Sequence, residues 1–410
     1  MGRKEEYIVG LDIGSTKVCT LVAAIRDSGL EPIGLGVAES KGIKKGSVVN
    51  LESVAESIKK SVGEAEVMAR CEVETVYVGL AGPHIKSFNS RGVTSIPTRM
   101  REINNDDVRR VIETARAMAL SADREIIHIL PQEFTVDDQS GIGDPLGMVG
   151  TRLEVNAHIV TSSTTAAQNI VTAVNRSGLL VGDTVLESVA VGEAILTDDE
   201  KELGCVLVDI GGGKTNIAIY HRGAVRHTAV VPLGGELFTT DIAVGLRTSI
   251  PEAERIKSEQ GCALASMLET DKVFEVAGMG SRHPRTIAQA LLSDIIQPRA
   301  EEIVHLVRNE IRNAGYERQA GAGVVLTGGG AMLRGFVELT EDILDLPVRI
   351  GTSTGFGESL LEKVPQLMSP EFATVTGLVL YGDRRRKTHD FHENSNSGLK
   401  KFVAKFRSFL

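Results

Sequence analysis

The chain of 410 residues has few cysteines, no long apolar run and, over most of its length, no surplus of positive charge. Its four cysteines, Cys19, Cys71, Cys205 and Cys262, are separated by 52, 134 and 57 positions. These intervals match neither a zinc site nor a disulfide framework, so the thiols read as core hydrophobes in a reducing cytoplasm. No run of about 18 apolar residues occurs, which excludes a helix spanning a bilayer. The opening Met-Gly-Arg-Lys-Glu-Glu has no apolar stretch for a secretory signal, and Glu6 stands where a myristoylation pattern wants Ser or Thr. The formal charge is −9. From Arg384 to Leu410, eight basic residues against two acidic ones give +6, so the preceding 383 residues carry −15. An acidic body lacks the basic face that displaces counterions from phosphates, and no nucleic-acid partner is expected.

What the chain has in excess is glycine, 43 residues, where about 7% of a chain is ordinary. The length requires at least two cores. Self-comparison shows where part of the glycine goes. Tyr7 to Val22 is an apolar run, then Asp12-Ile13-Gly14, a polar turn Ser15-Thr16-Lys17, and a second β-branched run; Gly204 to Tyr220 repeats this with Asp209-Ile210-Gly211-Gly212-Gly213-Lys214-Thr215. Each copy predicts a β-hairpin with a tight turn, and two copies predict two related lobes. Glycine turns expose N–H groups to anion oxygens, while the hydroxyls of Ser15, Thr16 and Thr215 and the amines of Lys17 and Lys214 add donors and charge. Asp12 and Asp209, at the same point of each hairpin, suit a hydrated Mg2+, which prefers few carboxylates and several waters. Gly213-Lys214-Thr215 mimics the end of a P-loop, but that motif needs Gly where Val208 stands. A third cluster, Gly328-Gly329-Gly330-Ala331-Met332, follows the apolar run Val324 to Thr327 and precedes helical spacing from Phe336 to Leu344. Strand, glycine turn and helix N-terminus there predict a second nucleotide-facing surface.

In this order the three glycine motifs resemble the phosphate-1, phosphate-2 and adenosine motifs of the actin, Hsp70 and sugar-kinase superfamily. Within it the chain resembles the FtsA family of bacterial actin-like cell-division proteins. Supporting stretches are Leu207 to Tyr220, Pro232-Leu233-Gly234-Gly235 with Thr239 to Ala243, and Ala253 to Lys257 with Gly261 to Leu264. The resemblance implies an α/β, two-lobed actin-like ATPase fold with a family-specific subdomain inserted in the first lobe, and a C-terminal amphipathic helix on a flexible linker. It divides the first lobe into 1–82, the insert 83–162 and 163–203. The second lobe becomes 204–231, a small subdomain 232–306 and 307–357, followed by a return helix 358–386, a linker 387–398 and the terminal helix 399–410. It further implies ATP and Mg2+ as cofactors, with Asp12 and Asp209 next to the metal and Gly14 to Lys17, Gly211 to Thr215, Gly234 and Gly235 around the phosphates. Glu254 and Lys257 would meet the ribose, and Gly328, Gly329, Gly330 and Met332 the adenosine. Glu187, opening the helical segment Leu186 to Ala194, matches the position at which several superfamily ATPases orient water. At most a weak Mg-dependent ATPase is expected. Small residues Ala190, Ala194, Ala373 and Gly377 predict two helices crossing closely between the lobes.

In the last twelve residues Leu399, Phe402, Val403, Phe406, Phe409 and Leu410 follow helical spacing, with Lys400, Lys401, Lys405 and Arg407 off that stripe. Twelve residues are too short to span a bilayer and suit its anionic interface. The family resemblance implies filaments at the cytoplasmic face of the inner membrane, at the division septum. It also implies tethering of the tubulin-like division protein FtsZ through the small subdomain, where Arg282 and Arg285 are candidate contacts, and recruitment of other division proteins through the insert. The competing readings are a pilus-assembly or rod-shape actin homologue and a small-molecule kinase; a kinase needs a carboxylate base beside a substrate hydroxyl, and none is evident.

Overall fold

The structure is a computed structural model. It describes residues 6–27, 29–97, 101–117, 121–269, 272–278, 283–356 and 364–393, with side chains up to 387. The chain opens with β1 (Tyr7–Ile13), β2 (Lys17–Arg26) and β3 (Gly29–Glu39), then a small ribbon of β4 (Ile43–Lys44) and β5 (Ser47–Val48), helix α1 (Leu51–Ala69) and β6 (Thr75–Leu80). The expected insert follows as β7 (Lys86–Ser95), α2 (Asn105–Arg116), β8 (Arg124–Val136), β9 (Gln139–Ile142) and β10 (Arg152–Ser163). The first lobe resumes with α3 (Thr164–Arg176), β11 (Leu180–Leu186) and α4 (Glu187–Ile195).

The second lobe contains α5 (Asp198–Leu203), β12 (Cys205–Ile210), β13 (Thr215–His221), β14 (Ala224–Val231), α6 (Gly235–Leu246) and α7 (Ile250–Gln260). It continues through β15 (Val273–Val276), β16 (Arg285–Ala288), α8 (Gln289–Ala314), β17 (Val324–Thr327), α9 (Phe336–Leu344) and β18 (Val348–Ile350). A final helix, α10 (Ala373–Glu393), returns to the first lobe. It runs through 387–393, which the sequence reading gave to the linker. The run Arg384-Arg385-Arg386-Lys387 has no Gly or Pro to stop a helix, so polarity alone misplaced the boundary.

The duplication seen in two turns extends to whole sheets. One is ordered β3-β2-β1-β6-β11 and the other β14-β13-β12-β17-β18, each with three antiparallel strands followed by two parallel ones. β12 is buried on both faces, as its unbroken apolar run requires. The insert is a β7-β10-β8-β9 sheet covered on one face by α2. Asn104 and Asp107 form a capping box that starts α2, and Val108, Val111, Ile112 and Ala115 bury its stripe against Phe134, Val155 and Ala157. α2 ends at Arg116, and residues 118–120 lie outside the described residues.

Helices α4 and α10 cross between the lobes. A side chain on Gly377 would sit 1.9 Å from the Ala190 carbonyl oxygen, so the absence of one is what lets the backbones touch. Val189, Val191 and Ala194 of α4 join Leu207, Ala218 and Val325 of the second lobe in one core. The insert reaches across as well, because its sheet lies against β14. Gln132 donates to the carbonyls of Val225 (3.0 Å) and Arg226 (3.2 Å), and Ser87 donates to that of Thr228 (2.9 Å). Buried His158 bonds Asn89 at 2.7 Å and Thr228 at 2.9 Å, and burial, with His227 beside it, holds its pKa down to about 3, so it is neutral.

Candidate functional site

The two hairpins close their turns identically: the Gly14 N–H donates to the Lys17 carbonyl and the Gly211 N–H to the Lys214 carbonyl, each at 3.0 Å. The turns face each other. A methyl on Gly212 would strike the Thr16 side chain, and one on Gly213 the Ser15 hydroxyl, so the glycines let the lobes meet at the mouth of a single cavity. That cavity, about 520 Å3, is lined by both turns, by Asp12, Asp209 and Glu187, by the end of α7, and by Gly328 to Gly330 with Met332.

Strand register explains the acids. Asp12 pairs with Cys19 and Asp209 with Asn216, one step before each turn, which brings both carboxylates to the cavity floor. Glu187, at the start of α4, completes a buried network. It accepts from Lys214 Nζ at 2.8 Å and from Asn216 Nδ2 at 3.0 Å, and Asn216 also donates to Asp209 at 3.0 Å. Burial, then the neighbouring Glu187 carboxylate, pushes Asp12 up to about 7 against the pull of Lys214 and Lys17. The same two causes push Asp209 up to about 6, opposed by its Asn216 hydrogen bond and by Lys214. Two buried acids held this far above their ordinary range mark a place short of positive charge. The Ser15 hydroxyl is buried without a partner among the described residues, as a phosphate-facing donor would be before its ligand arrives. Among the described residues no group of three or more His, Cys, Asp or Glu could hold a metal by itself. The two floor carboxylates, Asp12 and Asp209, are a donor set that suits Mg2+, which takes one or two carboxylates with water and phosphate oxygens.

Two family models match the chain: "Cell division protein FtsA" over residues 206–377 and "SHS2 domain inserted in FTSA" over residues 82–161. The cell division protein FtsA of Pseudomonas aeruginosa is 45% identical over 378 residues, covering 92% of this chain and 89% of the relative. The chain belongs to the FtsA family. FtsA of Escherichia coli is 38% identical over 92% of the chain and that of Bacillus subtilis 37% over 93%. Among solved structures, a PilM-PilN type IV pilus biogenesis complex matches with a TM-score of 0.66 at 18% identity, covering 92% of this chain and 98% of that one. MreB5 of Spiroplasma citri bound to ADP matches at 0.57 and 14%, covering 94% and 98%. These distant likenesses show the actin-like fold, and the matched SHS2 model accounts for the inserted domain.

Nearly all the nucleotide-site residues expected from the sequence line the cavity, with two corrections among the loops. Thr215 does not: it begins β13 with its hydroxyl donated to the Leu233 carbonyl at 2.8 Å, on the strand face turned away. Gly234 does not either; it packs behind the phosphate-2 turn, against the Gly211 and Gly212 carbonyls. A third correction concerns the adenosine loop. Its glycines enter a 3-10 turn, Gly329–Met332, and α9 starts only after Gly335, so no α-helix N-terminus faces the cavity there. Glu254 and Lys257 line the cavity joined to each other at 2.7 Å, and Lys257 also reaches Thr239 at 2.9 Å.

Sequence reading missed Asn216, legible in retrospect as the partner of Asp209 in the hairpin register. It also missed Glu371, which meets Lys17 at 2.7 Å across 354 positions while Lys17 lies 4.0 Å over the Phe372 ring; no local pattern signals that pairing. Arg285 is exposed and donates to the Leu246 carbonyl, whereas Arg282 lies outside the described residues. So do all the tail residues, 399–410. Among the described residues no helix is long and apolar enough to cross a membrane.

Proposed function

We propose that this protein is an ATP-binding, actin-like membrane adaptor of the division machinery. It assembles into filaments on the cytoplasmic face of the inner membrane at the septum and tethers FtsZ there. The observation that carries the nucleotide part is the facing pair of Asp-and-glycine hairpins over one cavity. Their two acids are pushed up to about 7 and 6, and a buried hydroxyl lacks a partner. MreB5 of the same fold, bound to ADP, supports the reading.

The turn N–H groups, Ser15, Thr16 and Lys17 would hold phosphate oxygens, and Lys214 would keep a positive charge at the floor. Asp12 and Asp209 would hold Mg2+ through water, supplying charge neutralisation for the phosphates. Glu187 lies on that floor as the group to orient water. Because its carboxylate is already engaged by Lys214 and Asn216, hydrolysis is expected to be slow. Asp209→Ala should abolish Mg-ATP binding in calorimetry; ordinary affinity would refute the assignment.

Membrane attachment rests on the tail sequence. Four basic residues near an anionic leaflet contribute about 1 kcal/mol each, opposed by the cost of ordering the helix, of order 1 kcal/mol per residue. A single tail should bind weakly. FtsZ and the other division partners follow from family membership, with the small subdomain and the insert as their contact regions.

A further inference from the structure

We propose that Gln289 selects adenine, by accepting a hydrogen bond from the exocyclic amine of the base; this rests on the nucleotide reading above. At the end of the cavity away from the phosphate turns, the lining comes from the last turn of α7 (Ser258, Gln260), the first residue of α8 (Gln289), and Lys272, Leu333 and Arg334. Gln289 is 3% exposed, yet only half of its amide is used. Its Nε2 donates to the main-chain carbonyl of Gln260 at 2.8 Å, which fixes the amide orientation, since the reverse would set two carbonyl oxygens together. Its Oε1 is buried with no donor among the described residues, and so is the Oε1 of Gln260.

Two unsatisfied acceptors beside the carbonyl end of α7 make this corner rich in oxygen and short of N–H groups. A buried acceptor left unmade is costly, so a ligand that brings a donor gains and one that brings another acceptor loses. Adenine presents an amine at the purine 6-position, where guanine and hypoxanthine present a carbonyl. The cations nearby do not reverse this preference. Arg334 gives Nη2 to the Met267 carbonyl at 2.9 Å, and Lys272 is exposed to solvent at the rim.

The test uses the full chain with Mg2+ and three probes: ATP, inosine triphosphate, and purine riboside triphosphate, which carries hydrogen in place of the amine. The native protein should bind ATP about tenfold more tightly than inosine triphosphate and about fivefold more tightly than the desamino analogue. Gln289→Met, checked for folding by its thermal transition, should bring ATP and the desamino analogue within about twofold, chiefly by weakening ATP. Equal affinity of the native protein for those two probes overturns the proposal without needing any variant, as does a Gln289→Met protein that keeps the native preference. If the native protein binds no triphosphate at all, the nucleotide reading fails too, a result distinct from tight binding without base preference.

Discussion

Asp12 and Asp209 make the cavity floor sensitive to pH in a direction that can be worked out. Both have folded-state values above the ordinary 3.8, at about 7 and about 6, so the folded protein holds these protons more tightly than the unfolded chain. Their stabilising effect is full below about pH 4 and is lost as pH rises through 6 and 7. Asp12→Asn should therefore stabilise the nucleotide-free protein at pH 7.5, by on the order of 3 kcal/mol, and have little effect at pH 4. Denaturant unfolding of both proteins at the two pH values checks this; an equal effect at both would show that the acid is not strained. Excess Mg-ATP should close the gap at pH 7.5 by stabilising only the native protein. The two acids were legible because the sequence repeats Asp-Ile-Gly, and a repeat fixes register. The network around them was not, since Lys214, Glu187 and Asn216 converge from separate segments, and Glu371 reaches Lys17 from the far end of the chain.

At the scale of elements, the crossing of α4 and α10 depends on what Gly377 omits. Gly377→Ala would place a methyl 1.9 Å from the Ala190 oxygen and 2.3 Å from its carbon, both backbone atoms that no rotamer can clear. The helices must separate, at a cost of about 3 kcal/mol or more. A lower urea midpoint with unchanged slope is expected, and an unaltered midpoint would mean the helices are less tightly crossed. This crossing was readable as small residues four apart. The end of α10 was not, because charged residues favour a helix and a solvated linker alike. The adenosine loop misled for a related reason: strand, glycines and apolar spacing read as strand-to-helix, while the positive φ of Gly335 places a turn between them.

For the whole molecule, the sheets disclose a duplicated architecture of which the sequence preserves only the turns, since packing tolerates many apolar residues but a phosphate-facing turn tolerates few. On the proposed function, the acidic body would bind nucleotide and the basic tail the membrane. Removing residues 398–410 should leave ATP affinity unchanged but eliminate co-sedimentation with anionic liposomes, and Phe406→Glu should reproduce the loss in the full chain. Undiminished sedimentation of either would sink the tail hypothesis. On the proposed function, many weak tails along one filament would bind together because the first attachment makes the rest intramolecular.

The seam between the insert and β14 carries one more consequence. The insert grows from the first lobe, yet Gln132, Ser87 and His158 fasten it to a strand of the second, and that strand runs on through Val231, opposite Thr215, to the phosphate-2 turn. The molecule is thus laced on two sides, by the crossed helices and by this stitching. Any spreading of the lobes must drag the insert with β14 or unpick those bonds one by one.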